Sequence, residues 1–324
     1  MSDIDRRDDV LSTADTTDID VLPDEGALAG AADADGPLSH LGDAVRAEEI
    51  PEDIAALAAS EVDDPGEGFF GPDSLAWRIN RENVLYVAGV TPILLQIAHP
   101  SVAAGLRDHS TLQSDYRTRL THTFDIVDTL FFGDVESAIT GAVIVRRLHE
   151  GVAGRVDDSG VDDGTYYAND PELLWWVAAT LFDLSTRAYE TLVEPLSRAE
   201  KRRYYREHTI FQRLMGLPEA ALPDTLGAFE ERYASTIDDD LVLGETGRAV
   251  TAGFLDQFGR ARPVAEFLGA AWLPASAREL FGFEWGPSRQ RRFDAVGRLF
   301  RSMPLWALPD RVRYRKQYRA FDRV

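Results

Sequence analysis

Two histidines in the stretch "RLTHTFDIVDTLFFGDVESAITGAVIVRRLHEGV" each stand three residues after an arginine: His122 after Arg119 and His149 after Arg146. A neutral imidazole on a dry helix face is a ready metal ligand. On a helix, His149 shares its face with Ala142, Val145, Val152 and Ala153, and Arg146 lies one turn back. Small side chains leave room beside the ring for a broad flat ligand, which suits an axial haem histidine. The alternative is a satisfied core histidine, the commoner fate of a lone His on an apolar face. Arg119, His122 and Thr123 set a cation, an imidazole and a hydroxyl within one helical turn. Such a set could polarise bound oxygen or hold a carboxylate; alternatively, Arg119 pairs with Asp115 at i−4 in a half-buried structural helix.

The elements that must position these groups are helical. Apolar residues recur at spacings of three and four from about residue 70 onward, and no convincing alternating strand run is present. The pattern predicts helices over about 72–88, 91–105, 115–132, 134–154, 170–192, 197–215, 223–237, 245–258, 263–271, 275–282 and 287–301. "NDPELLWW" supplies an N-cap, a first-turn proline and an acid. "SRAE" is a capping box and opens a helix that reads as surface-facing. The C-terminal third is broken often by Pro and Gly and reads as a layer of short helices on the main bundle. Its basic-aromatic end, with Arg311, Arg313, Arg315, Lys316 and Arg319 around Tyr314 and Tyr318, reads as a closing helix that pairs with acidic partners rather than as a nucleic-acid patch.

Composition narrows the chemistry further. The 324 residues include no cysteine, which excludes disulfides, thiolate metal sites and a cysteine nucleophile. No His-Glu-x-x-His, Glu-x-x-His or phosphate-loop motif occurs. The formal charge of −21 argues against a polyanionic partner such as nucleic acid. Much of that charge lies in residues 1–68, where 20 acids face three arginines. Residues 1–66 carry few large apolar side chains and are expected to form an acidic disordered tail, leaving 67–324 as a single helical domain. The Asp-rich, Lys-poor balance fits a halophilic source. The most apolar window, Val84 to Ala98, is too short to span a bilayer, and no secretory leader is visible, so the expected location is the cytoplasm.

The blocks "QIAHPSVAAGLRDHS", "RLTHT" followed by "FGD", "RRLHEGV" and "YYANDPELLWWVAATLFDLSTRAYETLV" resemble, in order and spacing, the catalytic domain shared by rubber oxygenases (latex-clearing proteins) and the mycophenolic-acid-pathway oxygenases. The resemblance is strongest over residues 69–240. It implies an all-α fold with a globin-like core around haem b, His149 as proximal iron ligand, and Arg119, His122 and Thr123 on the distal helix. Arg146, Ala142 and Val145 would then flank the cofactor. The departures are His122 in place of a lysine or arginine, Ala178 in place of a histidine found in many relatives, and no secure counterpart of the glutamate base, for which His99, Asp108 and His109 are the nearby candidates. The implied function is a haem-b-dependent oxygenase using dioxygen on a small apolar, isoprenoid- or lipid-like substrate, with an unidentified electron donor. A haem sensor or carrier without turnover, and an all-helical interaction protein, are the alternatives.

Overall fold

Side-chain caps fix where the long helices begin. Asp134 accepts from the Ser137 amide at 2.9 Å, Asp170 from the Glu172 amide at 2.8 Å, and Ser197 and Glu200 close a reciprocal capping box. The computed structural model describes Leu38, residues 45–158 and residues 164–321. Its helices are α1 (Glu52–Glu61), α2 (Leu75–Asn80), α3 (Val90–Ile97), α4 (Pro100–His109), α5 (Tyr116–Phe132), α6 (Val135–Glu150), α7 (Pro171–Leu192) and α8 (Arg198–Leu214). There follow α9 (Leu226–Asp239), α10 (Glu245–Asp256), α11 (Arg262–Ala271), α12 (Ala275–Leu280), α13 (Pro287–Ser302), α14 (Asp310–Arg313) and α15 (Lys316–Phe321). The fold is all-α, as expected, with one small hairpin.

Helix α7 is the central element. From Leu173 to Leu192 none of its residues is exposed, and it packs against α3, α8 and α13. Trp175 and Trp176 point about 100° apart, as helix geometry requires. Both are nevertheless buried, Trp175 under the Arg232 guanidinium at 3.9 Å and Trp176 stacked on Tyr233 at 5.5 Å. Around this helix, α5 and α6 pack on each other, and the C-terminal half of α5 and the N-terminal half of α6 are core: Leu130, Phe132, Ala138 and Ile139 are all essentially inaccessible.

Four expectations are corrected. The helix expected over 91–105 is two, because Pro100 cannot extend α3 and instead starts α4. The helix expected over 72–88 stops at Asn80, and a 3-10 turn, Asn83–Ala88, follows the buried Glu82 that pairs with Arg313 at 2.8 Å. Residues Ala153–Val156 (β1) and Gly164–Tyr167 (β2) form an antiparallel hairpin, too short and Gly-rich to show alternation. Helix α8 is not simply surface-facing: Tyr204, Tyr205, His208, Phe211 and Leu214 make a buried stripe.

The expected tail boundary also moves. For residues 1–37 and 39–44 that expectation lies outside the described residues. Between 45 and 66, however, the chain packs: Ile54, Leu57 and Ala58 of α1 are buried against the body, and α1 touches α8. Arg146 reaches Asp53 at 2.8 and 3.0 Å, and Arg147 reaches Glu49 at 2.7 Å. Three apolar contacts in ten residues escaped notice because the acids between them dominate the composition. Leu57→Ala is therefore expected to destabilise the fold by about 2–5 kcal/mol, the usual cost of emptying a core leucine site. Urea denaturation measures this, and a midpoint equal to that of the unaltered chain would show that α1 does not pack on the body.

Candidate functional site

A cavity of about 360 Å³, predominantly apolar, lies between α3, α4, α5, α7 and α8, with the end of α6 and strand β2 at one side. That volume is in the range of small-molecule sites. The helical period places its walls. On α5 the lining residues include Arg119, Leu120, Thr123, Phe124 and Val127; on α7 they include Leu174, Val177, Ala178, Leu181, Ser185 and Ala188. Ala178, the position that departs from the family pattern, is thus a wall residue whose small side chain enlarges the space.

Of the residues expected at the site, Arg119, Thr123, Val145 and His149 line this one cavity. Burial, and next the Arg119 cation, push the His149 pKa down to about 4, with the Asn169 side chain opposing them. The ring is therefore neutral at pH 7, the form able to bind a metal. Its Nδ1 is buried and makes no hydrogen bond of normal geometry, the Asn169 side chain being the polar neighbour that acts on the ring. Arg119 donates to the Thr123 hydroxyl, and Thr123 donates to the Arg119 carbonyl at 2.9 Å. Among the described residues no carboxylate pairs with Arg119, and Asp115 instead caps α5 through the Thr118 amide. Burial alone lowers the guanidinium pKa from its usual value.

Three expected residues lie elsewhere. His122 does not line the cavity; it stands close enough to Asp115 to lower that carboxyl's pKa, after the Thr118 hydrogen bonds. The reason is rotational, since Arg119 and Thr123 share a face at i, i+4 and His122 is turned about 100° from Thr123. Arg146 is a structural clamp on Asp53 and on the Arg213 and Leu214 carbonyls at 2.7 and 3.2 Å. Ala142 is fully buried in the α5–α6 core. Of the base candidates, His109 lines the cavity, whereas His99 does not. Asp108 is held by Arg107 and by the Tyr166 hydroxyl at 2.7 Å, and its pKa falls to about 2, which makes it a weak proton acceptor.

The residue missed in the sequence is His208. It is 1% exposed, lines the same cavity from α8, and sits among Phe131, Phe182, Tyr204 and Phe211 with ring centroids 5.0–6.3 Å away. Burial pushes its pKa down to about 3. Gln212 Nε2 lies 3.1 Å from His208 Nδ1, while Gln212 Oε1 is buried without a partner. Turning the amide over would let Gln212 Oε1 accept from His208 Nδ1–H and leave His208 Nε2 as the unprotonated nitrogen, the tautomer a metal ligand needs. The available signal was Tyr204, His208 and Phe211 at i−4 and i+3, masked by the charged residues between them.

One more cation enters from the far end of the chain. Arg315 lines the cavity, pairs with the buried Asp128, and lies over the Tyr86 and Phe124 rings at 4.6 and 5.8 Å. Of the C-terminal basic residues, Arg313 and Arg315 thus find acidic partners in the body, as the closing-helix reading expects.

A helical body around an apolar cavity that holds two neutral imidazoles and, among the described residues, an arginine without a carboxylate partner fits a small-molecule site. By sequence, the chain belongs to the family described as ER-bound oxygenase mpaB/B'/Rubber oxygenase, catalytic domain, which matches residues 77–302. It is thus a member of an oxygenase family, an oxidoreductase by class. It is also 27% identical over 214 residues to uncharacterized proteins of Mycobacterium tuberculosis (strain ATCC 25618 / H37Rv) and Mycobacterium bovis (strain ATCC BAA-935 / AF2122/97). Each match covers 62% of this chain and 82% of the relative. No solved structure matches the chain at a significant level.

The two depressed histidines make stability depend on pH. Unfolded imidazoles titrate near 6.5, and the folded ones only at about 4 and about 3. Between these values the unfolded chain binds protons that the folded chain refuses, so stability rises with pH across that window and is lost as pH falls. Each group contributes a slope of up to about 1.4 kcal/mol per pH unit. Replacing His208 by Phe should flatten the profile between pH 4 and 6.5. An unaltered profile in urea titrations would mean that folded His208 takes up its proton normally.

Proposed function

We propose that the chain is a haem-b-dependent oxygenase, with His149 as the iron ligand and a small apolar, isoprenoid- or lipid-like molecule as substrate. The observation that carries this reading is the neutral His149 in the wall of an apolar cavity, with a ring nitrogen that makes no hydrogen bond of normal geometry and a carboxylate-free Arg119 near it. The donor set fits such a group. Among the described residues no three His, Asp or Glu side chains gather to hold a bare metal ion. A single imidazole suffices for iron whose equatorial positions are filled by a macrocycle.

When bound, haem b supplies the redox chemistry that activates dioxygen. The rest belongs to the chain. Arg119 and Thr123 offer a fixed cation and a hydroxyl to charge that develops on oxygen, and the low polarity of the cavity strengthens both. The apolar faces of α4 and α7 exclude water and receive the hydrocarbon part of the substrate. His122, turned away from the cavity, is assigned no part in this. His208 is the alternative residue that would hold the iron, because it lines the same space from α8.

Protein produced with haem precursor present is expected to show a Soret band at one haem per chain. His149→Ala should abolish stoichiometric binding with helical content intact, Arg119→Ala should keep the haem and lose most oxygen uptake, and Thr123→Ala should lose less, since one neutral hydrogen bond contributes only about 0.5–1.5 kcal/mol. A native spectrum in His149→Ala that disappears in His208→Ala would move the ligand to α8. Absence of haem from the unaltered protein would leave the interaction-protein reading, and haem without oxygen-dependent substrate loss would leave the sensor or carrier.

A further inference from the structure

The C-terminal surface reverses the charge of the rest of the chain. From Pro287 to Arg319, ten arginines and lysines face two aspartates, in a protein of net charge −21. Arg313 and Arg315 are taken up by Glu82 and Asp128, and Arg301 by the Glu190 and Thr191 carbonyls. Arg291, Arg292, Arg298, Arg311, Lys316 and Arg319 are exposed and form no ion pair with a carboxylate among the described residues. A chain this acidic had many carboxylates with which to neutralise them.

Along the chain, exposed apolar side chains alternate with these cations. Of the nine large hydrophobic residues exposed among the described residues, four fall within residues 299–312: Leu299 (60% exposed), Met303, Leu308 and Val312 (53%). Most of α13 is exposed; among its exposed positions 288, 291, 292, 295, 298, 299 and 302 recur at three and four, so Arg291, Arg292, Arg298 and Leu299 share one outward stripe, with Asp294 at its edge, while Phe293, Gly297 and Phe300 pack inward. A purely electrostatic surface for nucleic acid has no use for exposed Leu and Val. An acidic peptide poor in large apolar residues, such as the chain's own N-terminal segment, would leave them uncovered.

We propose that the face formed by α13 and the segment up to Arg319 docks on an anionic lipid surface, with the cations at the headgroups and Leu299, Met303, Leu308 and Val312 entering the acyl boundary. The acidity of the remaining chain does not prevent this. Beyond about 10 Å at 0.1 M salt its repulsion is screened, whereas the cations of the face act at contact. The face also adjoins the cavity. Asn83 donates to the Val312 and Tyr314 carbonyls at 3.0 and 2.9 Å, and the cavity-lining Tyr86, in the same turn, lies beneath Arg315. A docked protein would hold that wall of the cavity beside the membrane, where an apolar molecule is drawn. The docking itself depends on neither haem nor turnover.

Co-sedimentation of the full chain at about 0.1 M salt, with phosphatidylcholine vesicles and with vesicles one third phosphatidylglycerol, tests this. The expected result is binding to the anionic vesicles only, weakened on the order of a hundredfold by Arg291→Glu, Arg292→Glu and Arg298→Glu together, at about a factor of five per cation. Leu299→Ser with Val312→Ser should weaken it without altering its salt dependence. These positions are exposed, and unchanged circular dichroism confirms that the variants fold. No binding to anionic vesicles, equal binding to both vesicle types, or binding that survives the triple reversal would overturn the proposal. So would tighter binding to duplex DNA or to RNA than to the anionic vesicles.

Discussion

Helix α7 is enclosed along nearly its whole length, and the other features of the molecule follow from what encloses it. A 22-residue helix with no exposed residue after Glu172 must find partners on every side. It finds α3, α8 and α13 for most of its surface, and on one stripe, Val177, Leu181, Ser185 and Ala188, it finds the cavity. The cavity is thus part of the hydrophobic interior, bounded by side chains that elsewhere on the same helices form close-packed core. Groups placed in its wall inherit low polarity, which is why His149 and His208 are neutral and Arg119 is desolvated.

Polar groups in such an interior separate by what their neighbours supply. Arg315 has Asp128, Arg313 has Glu82, and Arg146 has Asp53 together with two carbonyls, so these three hold distant parts of the chain together. Arg119, among the described residues, pairs with no carboxylate and donates to a hydroxyl one turn along its own helix. The contrast distinguishes arginines that build the fold from the one left available to a guest. A buried charge without a partner is costly, and it persists in a folded protein where function or an absent ligand requires it.

Much of this was legible in the sequence because the helix pattern is strong and the caps are explicit. Asp134, Asp170 and Ser197 open their helices where the residue types indicate, and the four family blocks supply walls of one cavity. What was not legible depends on rotation and long-range pairing. Equal spacing made Arg119–His122 and Arg146–His149 look alike, yet the first pair straddles the cavity edge and in the second only the histidine faces inward. His208 was hidden by the charges around it, and α1 by acids between its apolar residues. Asp128 gave no sign of its partner, 187 positions away.

The uncompensated Arg119 also imposes a selectivity that has nothing to do with shape. A guest bearing an ammonium group would bring a second positive charge into a low-dielectric enclosure already holding one, where like charges a few ångströms apart repel far more strongly than in water. Neutral hydrocarbons pass this filter, and carboxylates gain from it. Amines of the same size and shape would be disfavoured, so the sign of a guest's charge would count as well as its shape.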